Sequence, residues 1–346
     1  MKPAKILAIS SVLLTIAFFS ALSAFVYSQD KDSCSEFRQE IQTTYNFRPA
    51  LLKNQAERDR KSAAMDKIWE TAKGNPRELV PCLRQALEDS GADAWFRFDG
   101  SNLLVSLDPS EASKKLQIKS FAAGKLDDVD LRLWVTTLSR LGLEGFDVSE
   151  PGERWLSYPK ARYFLPEHGA YEVKMLQGAL FIFGSMDEAQ AVPALLRIVN
   201  QSNHPGREAA LAILLNENTP ESMSSLKQLD VSSFSSTARK IIRNELDHPD
   251  LFEPRSKPKT TRRAFLDAFE ALLKNDSHAF FELVDTVPDG EKDVAATMTE
   301  EDLPLLRKVR RRMVAGGNQH SIDYYASFTK IIRTILLKNA NLRPTA

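Results

Sequence analysis

The sequence predicts a mostly helical protein assembled from short antiparallel helix pairs. Three observations carry that expectation. First, apolar residues recur at the helical period of 3.6 along most of the chain. Met65, Ile68, Trp69 and Ala72 mark one such face. Val173, Leu176, Leu180 and Phe183 mark another, and Val192, Leu195, Leu196 and Val199 the next. Second, helix-start signals stand at the head of these runs, as in Asn75-Pro76-Arg77-Glu78 and Thr219-Pro220-Glu221. Third, a single segment reads as β. Aromatic and branched residues from Trp95 to Leu107 flank Asp99-Gly100, which predicts one small hairpin near residues 94–107. Each helix is too short to be stable alone in water, so stacking must supply the core.

The N-terminus comes first in order. Lys2 and Lys5 precede an apolar run from Ile6 to Val26, closed by Val26-Tyr27-Ser28. This is the layout of a secretory signal peptide over residues 1–28. Retained, the same run is long enough to anchor the chain in a membrane. The expectation is export to the periplasm or exterior, with N-terminal anchoring as the alternative. In that compartment Cys34 and Cys82, the two cysteines of the chain, are expected to form a disulfide. Closing that loop is worth about 4 kcal/mol in the chain-entropy model.

Residues 29–170 then read as an N-terminal helical region carrying the hairpin. Within it, residues 149–170 hold Pro151, Gly152, Pro159, Pro166 and Gly169 and read as loops with short turns. Residues 171–247 read as short regular helices, broken at Gly184 and at His204-Pro205-Gly206. Residues 248–260, with Pro249, Pro254 and Pro258, read as a linker, and residues 261–346 as a C-terminal helical region.

The middle segment carries a recognisable pattern. Gly178-Ala179-Leu180-Phe181-Ile182-Phe183-Gly184 is followed by Ser185-Met186-Asp187-Glu188 and then Ala191-Val192-Pro193-Ala194-Leu195-Leu196. It resembles a HEAT-like repeat, in which a helix ending in Leu-Gly turns through Asp or Asp-Glu into a second helix opened by Ala-Val-Pro-x-Leu-Leu. Phe183 stands in for the Leu. Arg207-Glu208-Ala209-Ala210-Leu211 with Thr219-Pro220-Glu221 looks like a second, degenerate unit. The resemblance covers residues 172–230. Val80-Pro81, Val192-Pro193 and Leu303-Pro304 recur at nearly equal intervals. The resemblance implies a short α-solenoid whose second helices line a binding surface, with Glu188, Arg197 and Asn200 facing outward beside the Val192, Leu195 and Leu196 core.

Charge narrows the class of partner. Lys and Arg total 46, and Asp and Glu total 46. Removing residues 1–28 takes away Lys2 and Lys5 and leaves a slight acidic excess. Such a body has no general pull toward nucleic acid. One basic run stands out, Arg307-Lys308-Val309-Arg310-Arg311-Arg312. On a helix Leu303, Leu305, Leu306, Val309 and Met313 fall on one side, with Arg307, Lys308 and Arg311 opposite. That face is expected to be solvated and paired with local acids, or to meet an acidic partner.

Chemistry-bearing motifs are missing from the sequence. It contains no H-E-x-x-H, no G-x-S-x-G and no phosphate-binding glycine loop. No catalytic residue, cofactor site or metal ligand is identified. The expected function is a protein–protein interaction scaffold whose partner is a protein of the cell envelope or exterior. A membrane enters only if the N-terminal run is kept. The alternative is an extracytoplasmic enzyme with a site near His168.

Overall fold

A computed structural model describes residues 34–37, 39, 40, 55–89, 91, 92, 94–123, 131–158, 163–165, 171–173, 175–217, 219–247, 251–253, 256–286, 290–315 and 319–339. The expected signal peptide and His168 lie outside the described residues. The chain divides into two compact units, Met1–Val129 and Asp130–Ala346. The mostly helical expectation holds in both.

The first unit contains α1 (Gln55–Gly74), α2 (Pro76–Glu88), α3 (Ala94–Leu107) and α4 (Glu111–Ala123). Pro76 opens α2, where its missing N–H costs nothing, and the buried face is Leu79, Cys82, Leu83 and Leu87. Cys82 is bonded to Cys34 with Cα atoms 5.2 Å apart, as the cysteine count predicts. Phe37, near that bridge, packs into the same core as Ile68, Leu83 and Leu104.

The hairpin expected near residues 94–107 is not formed. That segment is α3, packed against α2 on one side and α4 on another. A helix flanked on two sides must be apolar on more than one face, and that spoils the helical period in the sequence. Phe96, Phe98, Leu103, Leu104 and Val105 are all buried. Asp99-Gly100 is therefore no turn. A Cβ at Gly100 would lie 2.7 Å from Phe96 Cε2, so glycine lets that ring fold back along its own helix. Ser101 Oγ and Asn102 Nδ2 donate to Phe98 O at 2.9 and 3.0 Å.

Asp108 joins α2, α3 and α4. Its carboxylate accepts from Ser113 Oγ at 2.5 Å and Ser110 Oγ at 2.9 Å, and it pairs with Arg84 of α2. The Ser113 hydrogen bond, with those from Ser110 and Arg84, holds its carboxyl down at about 2.

The second unit opens with α5 (Leu131–Leu143) and α6 (Ser149–Ser157). α6 occupies residues expected to be loop. Pro151 sits in its first turn, where proline is compatible with helix, and Trp155 from the same helix stacks on Trp134 at 5.7 Å. Strands β1 (Tyr163–Leu165) and β2 (Tyr171–Val173) pair antiparallel, Phe164 opposite Glu172. Then come α7 (Met175–Phe183), α8 (Glu188–Val199), α9 (Arg207–Glu217), α10 (Pro220–Gln228) and α11 (Ser236–Asp247). The side chain of Asp187 caps α8, and Thr219 forms a reciprocal capping box with Ser222 ahead of α10.

These helices stack as neighbours, with α9 at the centre. It packs along both α7 and α8, so α8 finds its main partner in the helix that follows it. Its sequence says why. Ala210, Leu211, Ile213, Leu214 and Leu215 are buried, which leaves α9 almost no solvent face.

The unit closes with α12 (Arg262–Leu273), α13 (His278–Thr286), α14 (Gly290–Thr297), α15 (Leu303–Val314) and α16 (Gln319–Asn339). Phe265, Phe269, Phe280 and Phe328 form the aromatic centre of their core. The segment before α12 is tied to that core. Phe252 N–H donates to Thr334, and Lys259 and Thr260 N–H donate to the buried carboxylate of Asp293.

Asp108 generates a pH prediction. A carboxyl held below its unfolded value of about 3.9 contributes stability that is present above that value and lost as pH falls toward about 2. Stability of the first unit, followed by urea unfolding across this acid range, is expected to fall with that slope, and Asp108→Asn is expected to flatten it.

Candidate functional site

Among the described residues of the second unit, a buried cluster of charged side chains lies at the C-terminal end of α9. A helix end leaves carbonyl oxygens without partners and carries partial negative charge. Here that end also bears Glu217, which is 2% exposed. Two arginines from the C-terminal helices answer it. Arg310 of α15 donates from Nη1 to Asn216 O at 2.8 Å, and Arg333 of α16 donates to Leu215 O at 3.1 Å. Arg310 Nη2 also reaches Glu217 Oε2 at 2.7 Å and Glu188 Oε1 at 3.2 Å. The Tyr325 hydroxyl donates to Glu217 Oε1 at 3.0 Å, and the Arg310 guanidinium sits 5.1 Å from the centre of that ring.

Burial works against the charge on Arg310, but Glu217, Tyr325 and Glu188 more than offset it and hold the guanidinium above its ordinary range. Burial, then the charge of Glu217, pushes the Tyr325 hydroxyl well up. At Glu188 burial outweighs Arg310 and Arg307 and raises the carboxyl. The cluster is a charged joint closed by its own members.

The residues expected to form an interaction surface separate into two groups. Glu188 does not face outward. Its side chain is 17% exposed and is paired with Arg310 and with Arg307 at 3.5 Å. Arg311 meets Asp187 at 2.9 Å, and Arg307 and Arg311 are each largely covered. The basic face of α15 therefore meets acids more than a hundred residues away in sequence, at the N-terminus of α8, where the helix dipole already favours them. Arg310 lies fully inside the core. Arg197, Asn200 and Lys308 stay on the surface. Arg197 is 54% exposed and pairs with Glu153 of α6 at 3.4 Å.

Beside Arg197 lies a serine–histidine pair that the sequence did not single out. Ser157 Oγ and His204 Nε2 are 3.0 Å apart. Hydrogen-bond direction decides its chemistry. Gly206 N–H donates to His204 Nδ1 at 3.1 Å, so Nδ1 carries no proton. Ser157 Oγ donates its one hydrogen to Glu153 O at 2.9 Å. The neutral ring therefore carries its proton on Nε2 and donates it to Ser157. An imidazole in that tautomer cannot take the serine proton, so the pair is not an activated nucleophile. Among the described residues no group of three or more His, Cys, Asp or Glu side chains is placed to hold a metal ion.

No family model matches the chain, and no curated protein or solved structure matches it.

The joint makes a graded prediction. Arg310→Met leaves Glu217 buried beside the negative end of α9 and is expected to cost about 3–5 kcal/mol in urea unfolding. Arg311→Gln loses a pair whose acid is half exposed and is expected to cost under about 1 kcal/mol. Adding Glu217→Gln to Arg310→Met is expected to recover part of the loss, which a double-mutant cycle measures.

Proposed function

We propose that the protein is an exported HEAT-like repeat scaffold that binds another protein of the cell envelope or exterior. One observation carries this reading. α8, the helix with the Ala-Val-Pro-x-Leu-Leu pattern, buries Val192, Leu195, Ile198 and Val199 on one side and presents Arg197 and Asn200 on the other. A stack of helices with a fixed inner face and a polar outer edge gives a rigid platform for recognition. Lys308 is a further exposed candidate on α15. The buried acids and arginines of the joint set the platform's shape and take no part in contact.

The enzyme reading, centred on His168, stays as the second function. The Ser157–His204 pair lends it no support, because its tautomer runs the wrong way for general-base catalysis.

A photoreactive side chain at Asn200 in living cells is expected to cross-link one partner protein, and Arg197→Glu is expected to weaken that adduct. Arg263, exposed on α12 and assigned no role, serves as the control position. Equal yields at Asn200 and Arg263 would defeat the proposed surface. His168→Ala is expected to leave the cellular phenotype intact. Its loss in a normally folded variant would transfer the function to the enzyme reading. N-terminal sequencing of exported material is expected to start near Gln29, and a retained Met1 points instead to the anchored form.

A further inference from the structure

His204 sits in the turn between α8 and α9, and its ring ties that turn to the end of α6. The ties have direction. Nδ1 accepts from Gly206 N–H, and Nε2–H donates to Ser157 Oγ on α6. Gly206 itself lies against the same helix. A Cβ there would be 2.5 Å from Leu156 Cβ and 2.6 Å from Leu156 O, so only glycine brings the turn this close. The two ends of the turn are fixed independently. His204 N–H donates to Gln201 O at 3.0 Å. Arg207 Nε donates to Val199 O at 2.6 Å, its Nη1 and Nη2 reach Ser233, and its guanidinium lies 3.7 Å from the centre of the Phe234 ring.

One bond in this arrangement depends on a proton. A backbone N–H can only donate, so the Gly206 bond exists only while Nδ1 is bare. Protonating the ring places two donors face to face. From this geometry we propose that the 200–206 turn is an acid-sensitive latch, closed on α6 while His204 is neutral and released at Gly206 when His204 gains its second proton.

The charges around the ring are Glu153 on α6, Arg197 on α8, and Arg207 and Glu208 at the start of α9. Arg197 is paired with Glu153, Arg207 is turned onto Val199 and Ser233, and Glu208 accepts from Ser235 N–H. Burial pulls His204 below its ordinary value and outweighs the opposing pull of Glu153. A histidine lowered in the folded state contributes stability that is present above its unfolded value of about 6.5 and lost as pH falls through its folded value. Acid thus opens the latch. Asn200 begins this turn, so opening would alter the surface proposed above. That consequence rests on the scaffold reading, whereas the latch does not.

The test uses the full mature chain with labelled glycine and histidine, read by nuclear magnetic resonance. The protection factor of the Gly206 amide against hydrogen exchange is expected to fall at least about tenfold as pH drops from about 7.5 to about 5. The fall should track the His204 titration. His204→Asn supplies the decisive control. An asparagine oxygen accepts from the amide two residues on and cannot titrate, so protection is expected to persist at both pH values. His204→Gln, whose longer side chain does not favour that turn, is expected to leave Gly206 unprotected at both. Unchanged Gly206 protection through the His204 titration overturns the latch. So does an undiminished pH dependence in His204→Asn. Neither result depends on whether Asn200 cross-links a partner.

Discussion

The second unit is organised around the end of one helix. α9 is buried on nearly every face, so its terminal carbonyls cannot turn to water, and Glu217 adds a full negative charge where the helix dipole is already negative. Arg310 resolves that conflict. Its four terminal N–H groups are directed at Asn216, Glu217, Glu188 and Thr329. A lysine has neither the planar fork nor enough donors to do the same. α15 thus places Arg310 over the end of α9 while its apolar face packs against α12 and α16. Such joints contribute more to geometry than to net stability. Removing two charges from water costs several kcal/mol, and the pairing roughly repays it. Their value lies in the penalty for any other arrangement.

The charged residues that hold the fold together are distinct from those left on the surface. Asp187 illustrates the structural group. Its carboxylate caps α8 through Ala189 N–H and receives Arg311, and these contacts outweigh burial to hold it below its ordinary value. Residues engaged in this way hold α8 and α15 together. Arg197, Asn200 and Lys308 lie on the surface. The pair of Arg197 with Glu153 is half-exposed, and surface pairs are worth at most about 1 kcal/mol. On the scaffold proposal, a partner's carboxylate would replace it at little cost. An enzyme needs the opposite arrangement, with polar groups converging on an unfilled position. In the Ser157–His204 contact each proton is already committed to a structural acceptor.

Much of the helical architecture was legible in the amino-acid sequence, for reasons that are local. The 3.6-residue period marks α8, the Asn-Pro and Thr-Pro starts mark α2 and α10, and the two cysteines of the chain pair with each other. Local signals failed where neighbours changed what an element must bury. α3 reads as a hairpin because it packs between two helices and needs apolar residues on several sides. α6 reads as loop because Pro151 and Gly152 are breakers in isolation, yet a first turn accommodates that proline. The basic run of α15 reads as a solvated face because its acids lie in α8 and α9, a hundred residues earlier. His204 reads as a loop residue before proline, and nothing nearby in sequence announces Ser157. The sequence by itself determined the helical period, the caps and the cysteine pair, since each depends on residues within a few positions or on composition. Only the tertiary structure decided which charges are buried, which arginines stay exposed and which nitrogen of His204 holds the proton. Those properties depend on groups that folding brings together from far apart in the chain, and on the loss of water between them.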